Sequence, residues 1–317
     1  MAVPTSTTQT YGVIGRREDL TDDIHDLSPT DTPFTSAIKR GSARSTYHEW
    51  QTDVLRAAAQ NAQVEGDDIA NTALTPTVRL GNYTQIAAEK VQVSDTQRAS
   101  NNAGRGDELE YQFMKTSKAL KRDVETSLTG NYASVAGNAS TARKSAGFEA
   151  WIQTNDSRGS GGSNTAFSGG IQAAATDGTQ RAFSESLFLA VLQLCWENGG
   201  EPTMALMGGF NKRQASSFAG IVDSVRDVGS GKAMIVAAAD VYKSDFGTIT
   251  LNLSRFSRSR SVLVVDPTMW KLCYYQPYKQ KVLGTTGLSE SRLLSVEYTL
   301  EACNELSSGC VADLTTS

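Results

Sequence analysis

Histidine is nearly absent: His25 and His48 are the only two in 317 residues. Two separated imidazoles make no metal centre without further ligands. Neither is followed by Arg-Asp, which argues against the catalytic loop of a protein kinase. The four cysteines, Cys195, Cys273, Cys303 and Cys310, contain no C-x-x-C pair, so a zinc ribbon or dithiol redox motif is not expected. Cys303 and Cys310 are spaced to face each other across a hairpin; free thiols in a reducing compartment are the simpler expectation. The net charge of −4 supplies no surplus of Lys and Arg for gripping phosphates, which argues against a general nucleic-acid binder. No apolar run approaches membrane-spanning length. Met1-Ala2-Val3-Pro4-Thr5 has neither the basic start nor the apolar core of a signal peptide, so the expectation is a chain made and folded in a cytoplasm, without a membrane partner.

Catalytic signatures are equally scarce. Gly229-Ser230-Gly231-Lys232 resembles the end of a P-loop, but Arg226 occupies the first glycine position and Ala233 replaces the magnesium-binding hydroxyl. Asp245-Phe246-Gly247 resembles the kinase metal-binding triplet, and a tight turn between two strands explains it. No G-x-S-x-G elbow occurs, and the carboxylates are scattered on polar faces. The reading is no enzyme, no catalytic residue, no cofactor and no metal.

What is present is a strong alternation at the C-terminal end. In residues 292–302, Leu294, Val296, Tyr298, Leu300 and Ala302 share one strand face; Ser295, Glu297, Thr299 and Glu301 share the other. Residues 107–131 predict the longest helix, with Asp107, Glu108 and Glu110 at its start and Leu109, Phe113, Leu120, Val124 and Leu128 on one face. At 1.5 Å per residue that helix spans about 37 Å. Tyr47 to Leu55 and Thr77 to Ser94 predict a long two-stranded hairpin with Trp50 inside it. Its polar tip is Gln63-Val64-Glu65-Gly66-Asp67-Asp68. A parity change between Ile86 and Val91 predicts a bulge near Glu89 and Lys90. Such a hairpin has too little apolar content to bury itself and needs a neighbour. Apolar residues make up 39%, in keeping with an extended chain.

Arg158-Gly159-Ser160-Gly161-Gly162-Ser163 predicts a flexible loop. A second compact region opens with a helix from Ser184, its N-cap, to Asn198-Gly199-Gly200. It continues with a strand at 203–207, a helix from Asn211 to Val222, a mobile loop over 226–232 and strands at 248–253, 261–265 and 270–275. The strands 292–302 and 309–314 are expected to pair and return to the first region. The fold class is α+β.

This element order resembles the tailed-phage major capsid fold of the Hong Kong 97 type, and the local sequence is similar to its SU-ten-like group. The likeness rests on Val64-Glu65-Gly66-Asp67-Asp68, Phe148-Glu149-Ala150-Trp151-Ile152-Gln153-Thr154-Asn155 and Asn198-Gly199-Gly200-Glu201-Pro202. It rests further on Tyr242-Lys243-Ser244-Asp245-Phe246-Gly247, Asp266-Pro267-Thr268-Met269-Trp270 and Val296-Glu297-Tyr298-Thr299-Leu300. The resemblance implies an N-terminal arm over 1–44, an extended E-loop hairpin over 45–98, a P-domain with its spine helix over 99–179, an inserted A-domain over 180–285 and P-domain terminal strands over 286–317. It implies pentamers and hexamers closing into an icosahedral shell around double-stranded DNA, assembled in the host bacterial cytoplasm. Portal, scaffold and decoration proteins would be its partners, with no sequence-specific DNA binding. Candidate assembly contacts are Trp50, Glu65, Asp67 and Asp68 on the hairpin, and Asp227 and Lys232 on an axial loop. No lysine lies between residues 41 and 89, so the lysine–asparagine crosslink of some relatives is not expected there. The forty-odd irregular N-terminal residues do not suit a fused scaffold. An encapsulin-type nanocompartment shares the fold and is the alternative; a soluble binding protein or an enzyme of unidentified chemistry are alternatives of another class.

Overall fold

Two strands carry apolar residues without alternation, Met204–Met207 and Val262–Val265, and in the computed structural model every residue of both is buried. Continuous apolar runs are what a strand needs when both of its faces meet a core, and here alternate side chains feed two clusters. Met204, Leu206, Leu263 and Val265 join a core with Phe148, Trp151, Trp270 and Tyr298. Ala205, Met207, Val262 and Val264 join a second core with Phe188, Val191, Leu192 and Tyr242. The structure describes residues 29–69, 71, 74–100, 102, 104, 106–218, 240–284 and 287–316.

In chain order the helices are α1 (Pro33–Ala37), α2 (Asp95–Ala99), α3 (Glu108–Thr129), α4 (Phe148–Trp151), α5 (Glu185–Glu197) and α6 (Gly209–Ala215). The strands are β1 (Lys39–Ser42), β2 (Tyr47–Thr52), β3 (Val78–Tyr83), β4 (Gln85–Ser94), β5 (Asp156–Ser157), β6 (Met204–Met207), β7 (Val241–Ser244), β8 (Gly247–Leu253), β9 (Val262–Val265), β10 (Trp270–Leu283), β11 (Ser289–Ala302) and β12 (Gly309–Val311). They form a four-stranded sheet β1-β10-β11-β4, a six-stranded sheet β5-β12-β9-β6-β8-β7 and the pair β2-β3.

The spine helix forms where expected. Asp107 caps α3 by accepting from the Leu109 amide, and Leu109, Leu120, Val124 and Leu128 are buried. Glu125, on the same buried face, reaches the start of α1 and accepts from the amides of Phe34 and Thr35 at 2.7 and 2.8 Å. A carboxylate on those free amides serves as a cap supplied from a distant element. Burial pushes Glu125 up, opposed by these two bonds. Pro33 at the first turn of α1 sacrifices no helical hydrogen bond. The segment expected to be an irregular arm therefore contributes, over Pro33–Ser42, a helix and an edge strand parallel to β10.

Several expectations are corrected. β4 pairs with β11 in unbroken register from Gln85 to Ser94, without a bulge at Glu89 and Lys90; Ile86 simply points outward. β10 runs on to Leu283, with register shifts on either side of Gln276, the second spanning Pro277, a residue that cannot donate to a ladder. β12 pairs with β9 and β5, not with β11. The cysteines, by contrast, keep to the simpler expectation: Cys303 and Cys310 do not pair, and all four thiols are free. Helix α6 ends at Ala215, and the remainder of the expected 211–222 helix from residue 219 lies outside the described residues. Ser184 precedes α5 without a capping bond, its hydroxyl meeting Ser186 instead. The 158–163 segment is pinned rather than flexible: Gly159 N–H donates to Asp313, and Ser163 exchanges backbone bonds with Thr176. A Cβ on Gly159 would meet the Thr179 carbonyl oxygen at 2.0 Å, so glycine there permits close backbone approach.

Candidate assembly surface

The outer face of β11 is polar in sequence, yet it is not open to water. Glu297, Thr299 and Glu301 are buried because the root of the β2-β3 hairpin and the 143–146 segment lie across them. Buried polar groups must be paired, and the layer between hairpin and sheet is a set of such pairs. Asn82 of β3 donates to the carbonyl of Leu300 at 2.9 Å and accepts from the Ala146 amide at 2.9 Å. Thr84 donates to Glu297 at 2.6 Å, and Arg143 ion-pairs with the same carboxylate oxygen at 2.6 Å. His48 of β2 meets Glu301 at 3.0 Å, beside Lys271 at 2.8 Å and the Cys273 thiol at 3.2 Å. Tyr47 donates to the Gly170 carbonyl.

Hydrogen bonding from His48 above all, with Lys271, Cys273 and Cys303, holds the Glu301 carboxyl well below the usual carboxylate range despite its burial. Burial first, then Glu301, pushes the Cys273 thiol up to about 12. A depressed folded-state pKa means that Glu301 contributes stability above its unfolded value, near 4.5, and loses it as pH falls through the folded value. Glu301→Gln should therefore cost about 1.5–3 kcal/mol at neutral pH, the range for hydrogen bonds to a charged group. The gap to the wild type should close as the pH drops below 4.5. Urea unfolding at stepped pH measures this; a constant gap would show that the carboxylate's charge is not what matters.

Trp50 anchors the same root. Its ring packs on Trp151 at 5.4 Å, and Trp151 stacks on Phe167. The position expected to touch a neighbour is therefore engaged within its own chain, with a buried indole N–H that has no hydrogen-bond partner.

Beyond Thr52 the hairpin changes character. From residue 53 to residue 77 the described chain forms no strand or helix, and almost every side chain is exposed. Glu65-Gly66 is a turn closed by the Asp67 amide on the Val64 carbonyl, with Gly66 at φ 84°. The turn puts Glu65, Asp67 and Asp68 together at the exposed tip, as the sequence predicts. The flanking chain carries Leu55 at 97% and Leu74 at 92% exposure, with Val54, Val64 and Ile69 also exposed. Large apolar side chains this exposed in one segment mark a surface that awaits a partner. Asp227 and Lys232 lie outside the described residues. The root contacts of Asn82, Glu297 and Glu301 were not singled out from sequence. Their one signal is the row of polar residues opposite the apolar face of β11, which does not reveal what covers it.

Comparison with known proteins agrees with this architecture. The family model described as SU10 major capsid protein matches residues 3–315. A curated relative, the "Major capsid protein" of Escherichia phage Phieco32, is 41% identical over 124 residues. That match covers 39% of this chain and 35% of the relative, so it spans about a third of the relative's length. Among solved structures, a chain of the cyanophage A-1(L) capsid asymmetric unit superposes with a TM-score of 0.71 at 12% identity, covering 95% of this chain and 98% of that one. A chain from Gordonia phage Cozz superposes with a TM-score of 0.62 at 10% identity, covering 100% and 99%. At these identities the solved structures establish a shared fold.

Proposed function

The chain belongs to the SU10 major capsid protein family, and from this premise we propose that its subunits assemble as pentamers and hexamers into the icosahedral head shell enclosing the double-stranded DNA of a tailed phage. The family is one of shell subunits, not of enzymes. The observation that carries the reading is the contrast within one hairpin: a root docked by paired polar groups and an outer arm whose leucines, Leu55 and Leu74, face water. A segment that cannot bury itself gains its stability on a neighbour, and closed symmetry repeats that gain around the shell. In this reading the hairpin is the E-loop, α3 and the four-stranded sheet form the P-domain, and the region around the six-stranded sheet supplies the A-domain. A separate scaffold, a portal and decoration proteins are its proposed partners in a host cytoplasm, and packaged DNA is enclosed without sequence-specific contact. The virion capsid is the proposed location.

Negative-stain electron microscopy of the concentrated protein, with and without co-expressed phage partners, tests this. Closed shells or five- and six-membered rings are expected. Persistent monomers even with the partners present would sink the reading. Within it, replacing Glu65, Asp67 and Asp68 together by alanine should weaken assembly. Exposed ion pairs are worth about 0.2–1 kcal/mol each, so the triple change should cost about 0.6–3 kcal/mol per contact, roughly a three- to 150-fold loss of association. Shell yield and shell melting measure it; wild-type values for both would remove the tip carboxylates from the interface.

A further inference from the structure

We propose that His48, Cys273 and Glu301 form a three-donor site for a divalent cation of the zinc class, with water as the fourth ligand. Their donor atoms lie within 4.8 Å of one another. The Glu301 Oε2 atom is 3.0 Å from His48 Nε2 and 3.2 Å from Cys273 Sγ. Metal bonds of about 2.0–2.3 Å in a tetrahedron separate ligand atoms by about 3.3–3.8 Å, so small side-chain shifts admit an ion among these three. Imidazole, thiolate and carboxylate together are a zinc-type donor set, softer than the all-oxygen sets that hold calcium or magnesium.

The surroundings are those of a supported site. Glu301 binds through Oε2 alone because its other oxygen, Oε1, is occupied by Lys271 at 2.8 Å and by Cys303 at 3.3 Å. Outer partners of this kind fix a ligand's orientation. Lys271 also offsets part of the negative charge, leaving one thiolate, one carboxylate and one ammonium around a dication. On the sulfur side the wall is the backbone of β1, where Gly41 leaves room; a Cβ there would stand 2.6 Å from Cys273 Sγ. Binding replaces the thiol proton, which leaves to solvent as the sulfur–metal bond forms, so affinity rises with pH. The three donors come from β2, β10 and β11. An ion held among them ties the hairpin root to the main sheet by coordination as well as by hydrogen bonds.

The test uses the full chain, stripped with a chelator, kept reduced, and titrated with zinc by calorimetry and with cobalt by absorption. One ion per chain is expected, and the cobalt complex should show a thiolate charge-transfer band. Cys273→Ser should abolish that band. Both Cys273→Ser and His48→Gln should weaken zinc binding by at least the ~10–100-fold that loss of an outer partner costs, while Cys303→Ser, which keeps a donor toward Glu301 Oε1, should lose less than either. His48→Gln keeps a donor toward Glu301, so circular dichroism should show the fold intact while the ion is lost. Absence of stoichiometric uptake, wild-type affinity in Cys273→Ser or His48→Gln, or a greater loss in Cys303→Ser than in Cys273→Ser would each overturn the assignment.

Discussion

Replacing Glu149 by alanine is expected to cost about 3–5 kcal/mol of subunit stability, the usual penalty for leaving a buried charge without its partner. Glu149 sits at the start of α4 with no exposure to solvent. Its Oε1 accepts from Arg258 at 2.8 Å and lies 3.6 Å from Arg158, and its Oε2 accepts from Ser261 at 3.0 Å. Burial pushes the carboxyl up, and the two guanidiniums oppose that shift. Arg158 keeps Asp156 and Arg258 keeps Asp177 when Glu149 is lost, but each guanidinium loses one of its two carboxylates, and that of Arg158 is almost wholly enclosed. Glu149→Gln preserves an acceptor for Arg258 and turns an amide N–H toward the Ser261 hydroxyl, which can accept, so it should cost less than alanine. Urea unfolding of the isolated subunit gives both values. A loss below about 1 kcal/mol in the alanine variant would mean that the cluster breaks even against its own desolvation.

Trp270→Ala should fall in a similar range, about 3–5 kcal/mol, as for other buried aromatic truncations. Trp270 opens β10 and is completely buried, 4.3 Å from the Phe148 ring centre, with its indole N–H donating to Ser308 at 2.9 Å. Truncation empties the junction between the four-stranded sheet and α4. It leaves the Ser308 hydroxyl satisfied, because the Asp266 amide also donates to it. The loss is therefore mostly packing, and Trp270→Phe, which keeps a ring against Phe148, should recover the greater part. If Phe and Ala variants unfold at the same urea concentration, the indole hydrogen bond outweighs the ring contact.

What the sequence reveals follows from how local each cause is. Helix α3 was legible because its cap, its acidic first turn and its apolar stripe all lie within the segment. The apolar face of β11 was legible for the same reason. The covering of its polar face was not, since Asn82 and Leu300 stand 218 residues apart. Strand β4 misled because Ile86 is apolar and faces outward, so its alternation reported the wrong side. β12 misled because a strand buried on both faces shows no parity from which to choose a partner. Glycine and serine at 158–163 read as flexibility, whereas Gly159 is there to let two backbones touch. At the candidate surface, the turn that groups Glu65, Asp67 and Asp68 was legible from the glycine between them, while the packing of Trp50 on Trp151 was not, since the two stand a hundred residues apart.

The division of the hairpin into a docked root and a bare tip makes it a lever. From Thr52 to Gly66 the extended chain can reach about 45 Å, so tilting the root by about 5° sweeps the tip through about 4 Å. The root's fastening is directional: hydrogen bonds through Asn82, Thr84 and His48 select an angle, where a greasy contact would let the arm slide. A shell built from identical subunits asks each arm to land on neighbours at slightly different inclinations. Small adjustments among a few polar pairs at the fulcrum are then enough to aim every tip, and the body of the subunit need not deform.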